Sequence, residues 1–176
     1  MTKLQAKTLT LIRSHVPGFD QLRNGEKLLQ ANAVVCDYIH VREELGPNHG
    51  EYVDDILQEA GGLNPGAPWC AALINWLCEM LKIPNPEVAD ALVAGWKAWA
   101  KKTGRLRTKP KRGYLCGLIH ANGSGHIGQA VSVGPDQLRT IEGNTSPGNE
   151  GSQRDGDGHY RKVRADDYFD WYIDLD

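Results

Sequence analysis

The sequence predicts an α+β domain, helices first and an antiparallel sheet second. Two observations carry this. Up to about residue 104 the chain places apolar side chains at helical spacing between recognisable stop signals. After Lys111 it breaks into short β-type runs separated by clusters of Gly, Pro, Asn and Asp. Segregation of this kind gives an α+β arrangement rather than alternating βαβ units. With 176 residues the chain suits one domain and can bury a core without metals or crosslinks.

The elements follow in order. Asn24 is placed to cap a helix running to Leu45, with Leu28, Leu29, Val35, Tyr38 and Ile39 on one side and Gly46-Pro47 as the stop. A shorter helix is expected from about His49 to Ala60, ended by Gly61-Gly62. The run WCAALINWLCEMLK starts near Trp69 and continues to Pro84. Pro86 then opens a further helix that closes at Gly104. The runs YLCGLIH, HIGQAVSV, QLRTIEG and HYRKVR read as strands. The polar, glycine-rich stretch from Gly143 to Gly158 reads as a long surface loop.

Composition excludes several classes. The chain is 40% hydrophobic and 24% charged with net charge −2, so nucleic acid is not an expected partner. Its one basic run, Lys101 to Arg112, reads as a solvated loop face. No segment approaches the roughly 20 apolar residues of a membrane span, so no membrane partner is expected. The opening MTKLQAKTLTLIRSH lacks a secretory apolar core, which predicts synthesis in the cytoplasm without a signal peptide. The four cysteines, Cys36, Cys70, Cys78 and Cys116, include no C-x-x-C. Cys116 and His120 lack the rest of a tetrahedral set, and Asp155-Gly-Asp157 lacks the spacing of a calcium loop. No metal or cofactor is therefore expected.

One cysteine stands in a position suited to chemistry. Pro68 disfavours helix in the residue before it, so the helix begins at Trp69 or Cys70 and the Cys70 thiol falls in its first turn. Unpaired N–H groups and the helix dipole favour thiolate there. Cys36 and Cys78 lie mid-helix and Cys116 lies within a strand, positions typical of buried core thiols. A thiol nucleophile needs a base, and histidine suits neutral pH. His126 opens a strand between Gly125 and Gly128, where a cleft can form at the sheet edge. His120 ends the preceding apolar run and is its rival. Glu142 and Asn144 end the next strand. Simple alternation puts both on one face, so either could orient the imidazole.

The order Cys … His … Glu-x-Asn resembles the CHAP family of amidases and peptidases, which share a papain-like core. GLNPGAPWCAALINWLC is similar to the family's nucleophile segment and GHIGQAVSV to its histidine strand. TIEGNTSPGNEGSQRDGDGHYRKVR is similar to its last block in phage and bacterial cell-wall enzymes, and EELGPNHGEYVDDILQEAGG to the lead-in. The likeness covers roughly residues 38–165. The sequence departs from the family at Tyr114, where an acid is common. The resemblance implies a CHAP-like catalytic domain over 38–176, with residues 1–37 as a helical extension of the same compact unit. It implies Cys70 as nucleophile, His126 as base and Glu142 with Asn144 as its orienters. It further implies cleavage of a peptidoglycan amide bond, by a phage lysis enzyme or by an antibacterial effector that has an immunity protein as partner. Such a protein would act in the periplasm or cell wall after release or injection. Two other readings stay open: a cysteine amidase acting on a small soluble amide, and a non-catalytic binding module that kept the fold.

Overall fold

A computed structural model describes residues 1–61, 63–86, 92–148 and 156–176. The chain opens with α1 (Lys3–His15), fixed at its start by a reciprocal cap. The Gln5 N–H donates to the Thr2 hydroxyl at 3.1 Å and the Thr2 N–H donates to the Gln5 side chain at 2.9 Å. Buried Ile12 of α1 and Phe19 of the following 3₁₀ turn lie in the main core, so the first 37 residues pack as part of it.

α2 (Asn24–Val34) continues into a π-helical turn, Val35–Ile39, and stops there. The helix expected to reach Leu45 is thus shorter, and the reason lies in the sheet. His40 turns left-handed (φ 55°), and the chain beyond it runs along a strand edge. The Val41 carbonyl accepts from His159 N–H at 3.1 Å and the Glu43 N–H donates to the Asp157 carbonyl at 3.0 Å. These tertiary hydrogen bonds replace the next helical turn. Asn24 does not cap. Arg23 holds that position, and the Asn24 amide donates to the Leu175 carbonyl at 3.0 Å.

α3 (Glu51–Gly61) buries Val53, Ile56 and Leu57, the spacing of one helical face. α4 (Cys70–Leu81) is buried along most of its surface and ends where Lys82 turns left-handed. α5 (Val93–Lys102) starts later than the expected Pro86; residues 87–91 lie outside the described residues.

The strands are β1 (Leu106–Arg107), β2 (Leu115–Ile119), β3 (Gly125–Val133), β4 (Gln137–Thr145), β5 (Gly158–Ala165) and β6 (Trp171–Ile173). They form one antiparallel sheet in the order β1-β6-β2-β3-β4-β5. The architecture is α+β, as expected, with two short strands, β1 and β6, that the sequence pattern did not single out. Leu115, Ile127, Trp171 and Ile173 face the helices and share a core with Leu57, Trp76 and Trp96. On the opposite face Cys116, Leu118, Ala130 and Leu138 pack under Phe169 and Tyr172. Among the described residues no helix is long and apolar enough to cross a membrane.

Candidate active site

Trp69 is the N-cap of α4 and Cys70 its first residue, so the thiol lies in the first turn. Cys70 is only 5% exposed. Burial alone pushes a thiol toward neutrality. Here it is outweighed by the His126 ring and by the backbone N–H groups of Ile127 and Ala71, all directed at the sulfur, so the thiol is held below its ordinary value. All four cysteines are free, and the other three go the opposite way. Burial pushes Cys36 up to about 11 and raises Cys78 and Cys116 as well.

His126 is the second residue of β3. Its ring is buried, with Nε2 at 2.9 Å from Glu142 Oε2. Nδ1 makes no hydrogen bond of regular geometry among the described residues. It is nevertheless the ring nitrogen left for Cys70, and the thiol is close enough that each group shifts the other. Burial works against a charged imidazole, but Cys70 and Glu142 outweigh it and raise His126 to about 9. Each of the two groups thus shifts the other toward its charged form.

Gly128 stands opposite Glu142 in the β3–β4 register. A Cβ there would lie 2.6 Å from Glu142 Cγ, so this glycine leaves the space the carboxylate occupies. Glu142 itself is fully buried and saturated with donors. Oε1 accepts from the Thr140 hydroxyl and from Arg164 Nε at 2.9 Å; Oε2 accepts from a second Arg164 N–H and faces His126. Burial opposes its charge, but the Arg164 and His126 contacts hold the carboxyl down to about 2. Arg164 is buried too, with the Tyr168 ring 4.5 Å from its guanidinium carbon. The sequence reading missed Arg164. The signal was present in HYRKVR: alternation there puts charge on both faces of a strand that must bury at least one.

Asn144 is placed differently from expectation. The β4–β5 register passes from Glu142↔Tyr160 to Thr145↔Gly158, so Gly143 and Asn144 together oppose one residue, His159. This is a β-bulge, and Asn144 takes a left-handed conformation (φ 52°) within it. The bulge breaks the alternation that would have aligned residues 142 and 144. The Asn144 amide donates to the Asn48 side chain and, at 3.5 Å, to Glu43; it has no hydrogen bond to His126. Glu43 also accepts from the Trp69 indole N–H at 2.9 Å and from the Asn48 backbone N–H at 2.7 Å. Asn144 therefore belongs to a polar cluster behind Trp69, the residue that precedes Cys70. Of the two, Glu142 is the one that meets the His126 ring.

Other candidates fall away from the site. His120 is exposed in the turn joining β2 and β3, whereas Cys116 is buried in the small core, so the two do not face a common ion. His159 is buried and held neutral, its pKa lowered to about 3 by burial and by Arg42. Asp157 accepts from the Tyr160 hydroxyl at 2.9 Å, and Asp155 lies outside the described residues. Tyr114, at the position where the CHAP pattern has an acid, donates to Asp174 at 2.9 Å.

Set beside known protein families, curated proteins and solved structures, the chain matches none of them. The site's chemistry must be read from its own geometry. A thiol at a helix start, an imidazole with one nitrogen toward it and the other fixed by a carboxylate, and an otherwise buried surround make a pair able to attack an acyl carbon and shuttle one proton.

Proposed function

We propose that this chain is a cysteine-dependent amide hydrolase acting on peptidoglycan. The observation that carries the reading is the Cys70–His126–Glu142 alignment, in which the thiol is lowered and the imidazole raised toward an ion pair. The substrate class rests on the CHAP-like segments around these residues.

In this reading the Cys70 thiolate attacks the amide carbonyl carbon and forms a C–S bond. The carbonyl electrons pass to oxygen, and the backbone N–H of Cys70 at the α4 start helps to hold the oxyanion. His126 gives its Nδ1 proton to the leaving amine as the C–N bond breaks and a thioester remains. Neutral His126 then takes a proton from water, whose oxygen attacks the thioester; the acid leaves and the thiolate returns. Glu142 holds the ring by Nε2 throughout. The biological setting we favour is a phage lysis enzyme or an injected antibacterial effector, the latter paired with an immunity protein.

The test is digestion of purified cell walls, with mass spectrometry of the released fragments to name the bond. Turnover is expected for the native chain and abolished in Cys70→Ala and His126→Ala, both remaining folded by circular dichroism. Iodoacetamide is expected to inactivate with the label on Cys70. Undiminished hydrolysis by Cys70→Ala would overturn the mechanism.

A further inference from the structure

Glu142 carries more than its bond to His126. Its two oxygens are divided among three donors, and Arg164 takes a share of both. Nε of Arg164 joins the Thr140 hydroxyl on Oε1, and a terminal N–H of Arg164 joins the His126 ring on Oε2. Both side chains of the ion pair are buried, at 5% and 0% exposure. A buried charge pair of this kind is costly to desolvate and is weak evidence of a stabilising role, so its place beside the imidazole asks for another account.

We propose that Arg164 is a positioning residue that fixes the Glu142 carboxylate in one rotamer and limits how strongly it holds the imidazolium, so that His126 can release its proton to a leaving group. This rests on the hydrolase reading and deepens it. Two physical points support it. A forked guanidinium on a carboxylate fixes the plane and the position of that carboxylate, which a single lysine contact would not. A second cation on the oxygen that faces His126 also withdraws negative charge from the imidazole's partner. With Glu142 alone, the buried carboxylate would hold the imidazolium more tightly and keep the proton that the reaction must pass on.

The charged and titratable groups facing this carboxylate come from every packed element: His126 from β3, Arg164 and Lys162 from β5, Cys116 from β2 and Tyr168 from the turn after β5. Cys70 of α4 faces the other side of the His126 ring. Lys162 is occupied with the Ser146 carbonyl at 2.8 Å. Cys116 is held neutral by burial. Arg164 is thus the cation that grips Glu142 through two atoms.

Two variants separate charge from fork. Arg164→Gln keeps an N–H donor for Glu142 and removes the charge; Arg164→Lys keeps the charge and removes the fork. The readout is the pH dependence of Cys70 alkylation by iodoacetamide, followed by mass spectrometry of the Cys70 peptide. The charge arm needs no substrate, so it stands or falls independently of wall hydrolysis, and the positioning arm is read as turnover relative to the native chain. The alkylation rate steps once as thiolate forms and again as His126 loses its proton. In Arg164→Gln both steps are expected to move to higher pH, by about half a unit to one unit, less than a charge in direct contact gives. In Arg164→Lys the steps are expected to stay in place while wall turnover falls about tenfold or more, the scale of a loosened orienting group. A folded Arg164→Gln whose two steps coincide with the native ones would overturn the charge argument. Should Arg164→Gln fail to fold, Arg164→Lys decides: native turnover with a native profile would overturn the positioning role.

Discussion

Gly128→Ala tests the site without touching a polar group. The backbone at 128 is not left-handed, so alanine is conformationally acceptable there. The difficulty is space. The added carbon would lie 2.6 Å from Glu142 Cγ and 3.0 Å from the Ile141 carbonyl oxygen. Carbon atoms in contact rest about 3.5–4.0 Å apart, so Glu142 must retreat by about 1 Å. It cannot do so freely, because Thr140 and Arg164 hold both its oxygens. Retreat would disturb the 2.9 Å contact with His126, whose geometry tolerates only a few tenths of an ångström before the bond weakens. Overpacking of this sort costs about 1–3 kcal/mol, and a displacement of about 1 Å at an orienting group costs about 100-fold in rate. The expected outcome is a folded protein, melting several degrees lower, with wall turnover and Cys70 alkylation near neutral pH both strongly reduced. Gly134→Ala, whose new carbon meets only the flexible Gln137 side chain at 3.3 Å and the Gln137 carbonyl at 3.4 Å, serves as the control. Native turnover in Gly128→Ala would refute the claim that Glu142 acts through its position.

The remaining expectations concern pH and the thiols. Activity should form a bell: it falls on the alkaline side as pH passes about 9, where His126 loses its proton, and on the acid side as the lowered Cys70 thiolate is protonated; a single monotonic limb in the turnover profile would contradict the ion pair. Glu142, held near 2 against an ordinary 4.5, stays charged in the fold where the unfolded chain would bind a proton, so the stability tied to its charge is present above pH 4.5 and lost as pH falls through 2. Urea titrations should therefore show native stability declining over that acid window and Glu142→Gln lacking that decline; parallel curves would count against it. Cys78→Ala should lower stability by about 1 kcal/mol or more while leaving turnover intact, and His120→Ala should change neither, since one is buried in α4 and the other exposed in a turn.

Much of the fold was legible because local signals and tertiary demands agreed. Pro68 before Trp69-Cys70 set the start of α4, and period-2 runs marked β2 to β5. Where the sequence misled, long-range contacts decided. The segment after Ile39 keeps helical residues, yet its backbone pairs with β5 through Val41 and Glu43. β1 and β6 span two and three residues, too short for any periodicity, and exist because β6 pairs along β2 and β1 in turn pairs along β6.

The site divides along the same line. Cys70 and His126 were legible because each sits at an element boundary that local chemistry marks: a proline-set helix start and a glycine-flanked strand start. Glu142 was legible by alternation, and Asn144 was assigned by the same alternation, but only one of the two assignments survives the bulge at Gly143. The bulge lies where β4 passes closest to α4. A Cβ on Gly143 would lie 2.6 Å from Leu73 and 3.0 Å from the Trp69 ring, so β4 presses its backbone against the first turns of α4. The strand accommodates the approach with an extra residue, and Asn144, tolerant of the left-handed conformation, supplies it. Asn144 is then carried to Asn48 and Glu43, and Glu43 in turn holds Trp69, the residue next to Cys70. The bulge thus serves both sides of the pair. It leaves Glu142 facing His126, and it sends the following amide to the support of the helix start that presents Cys70.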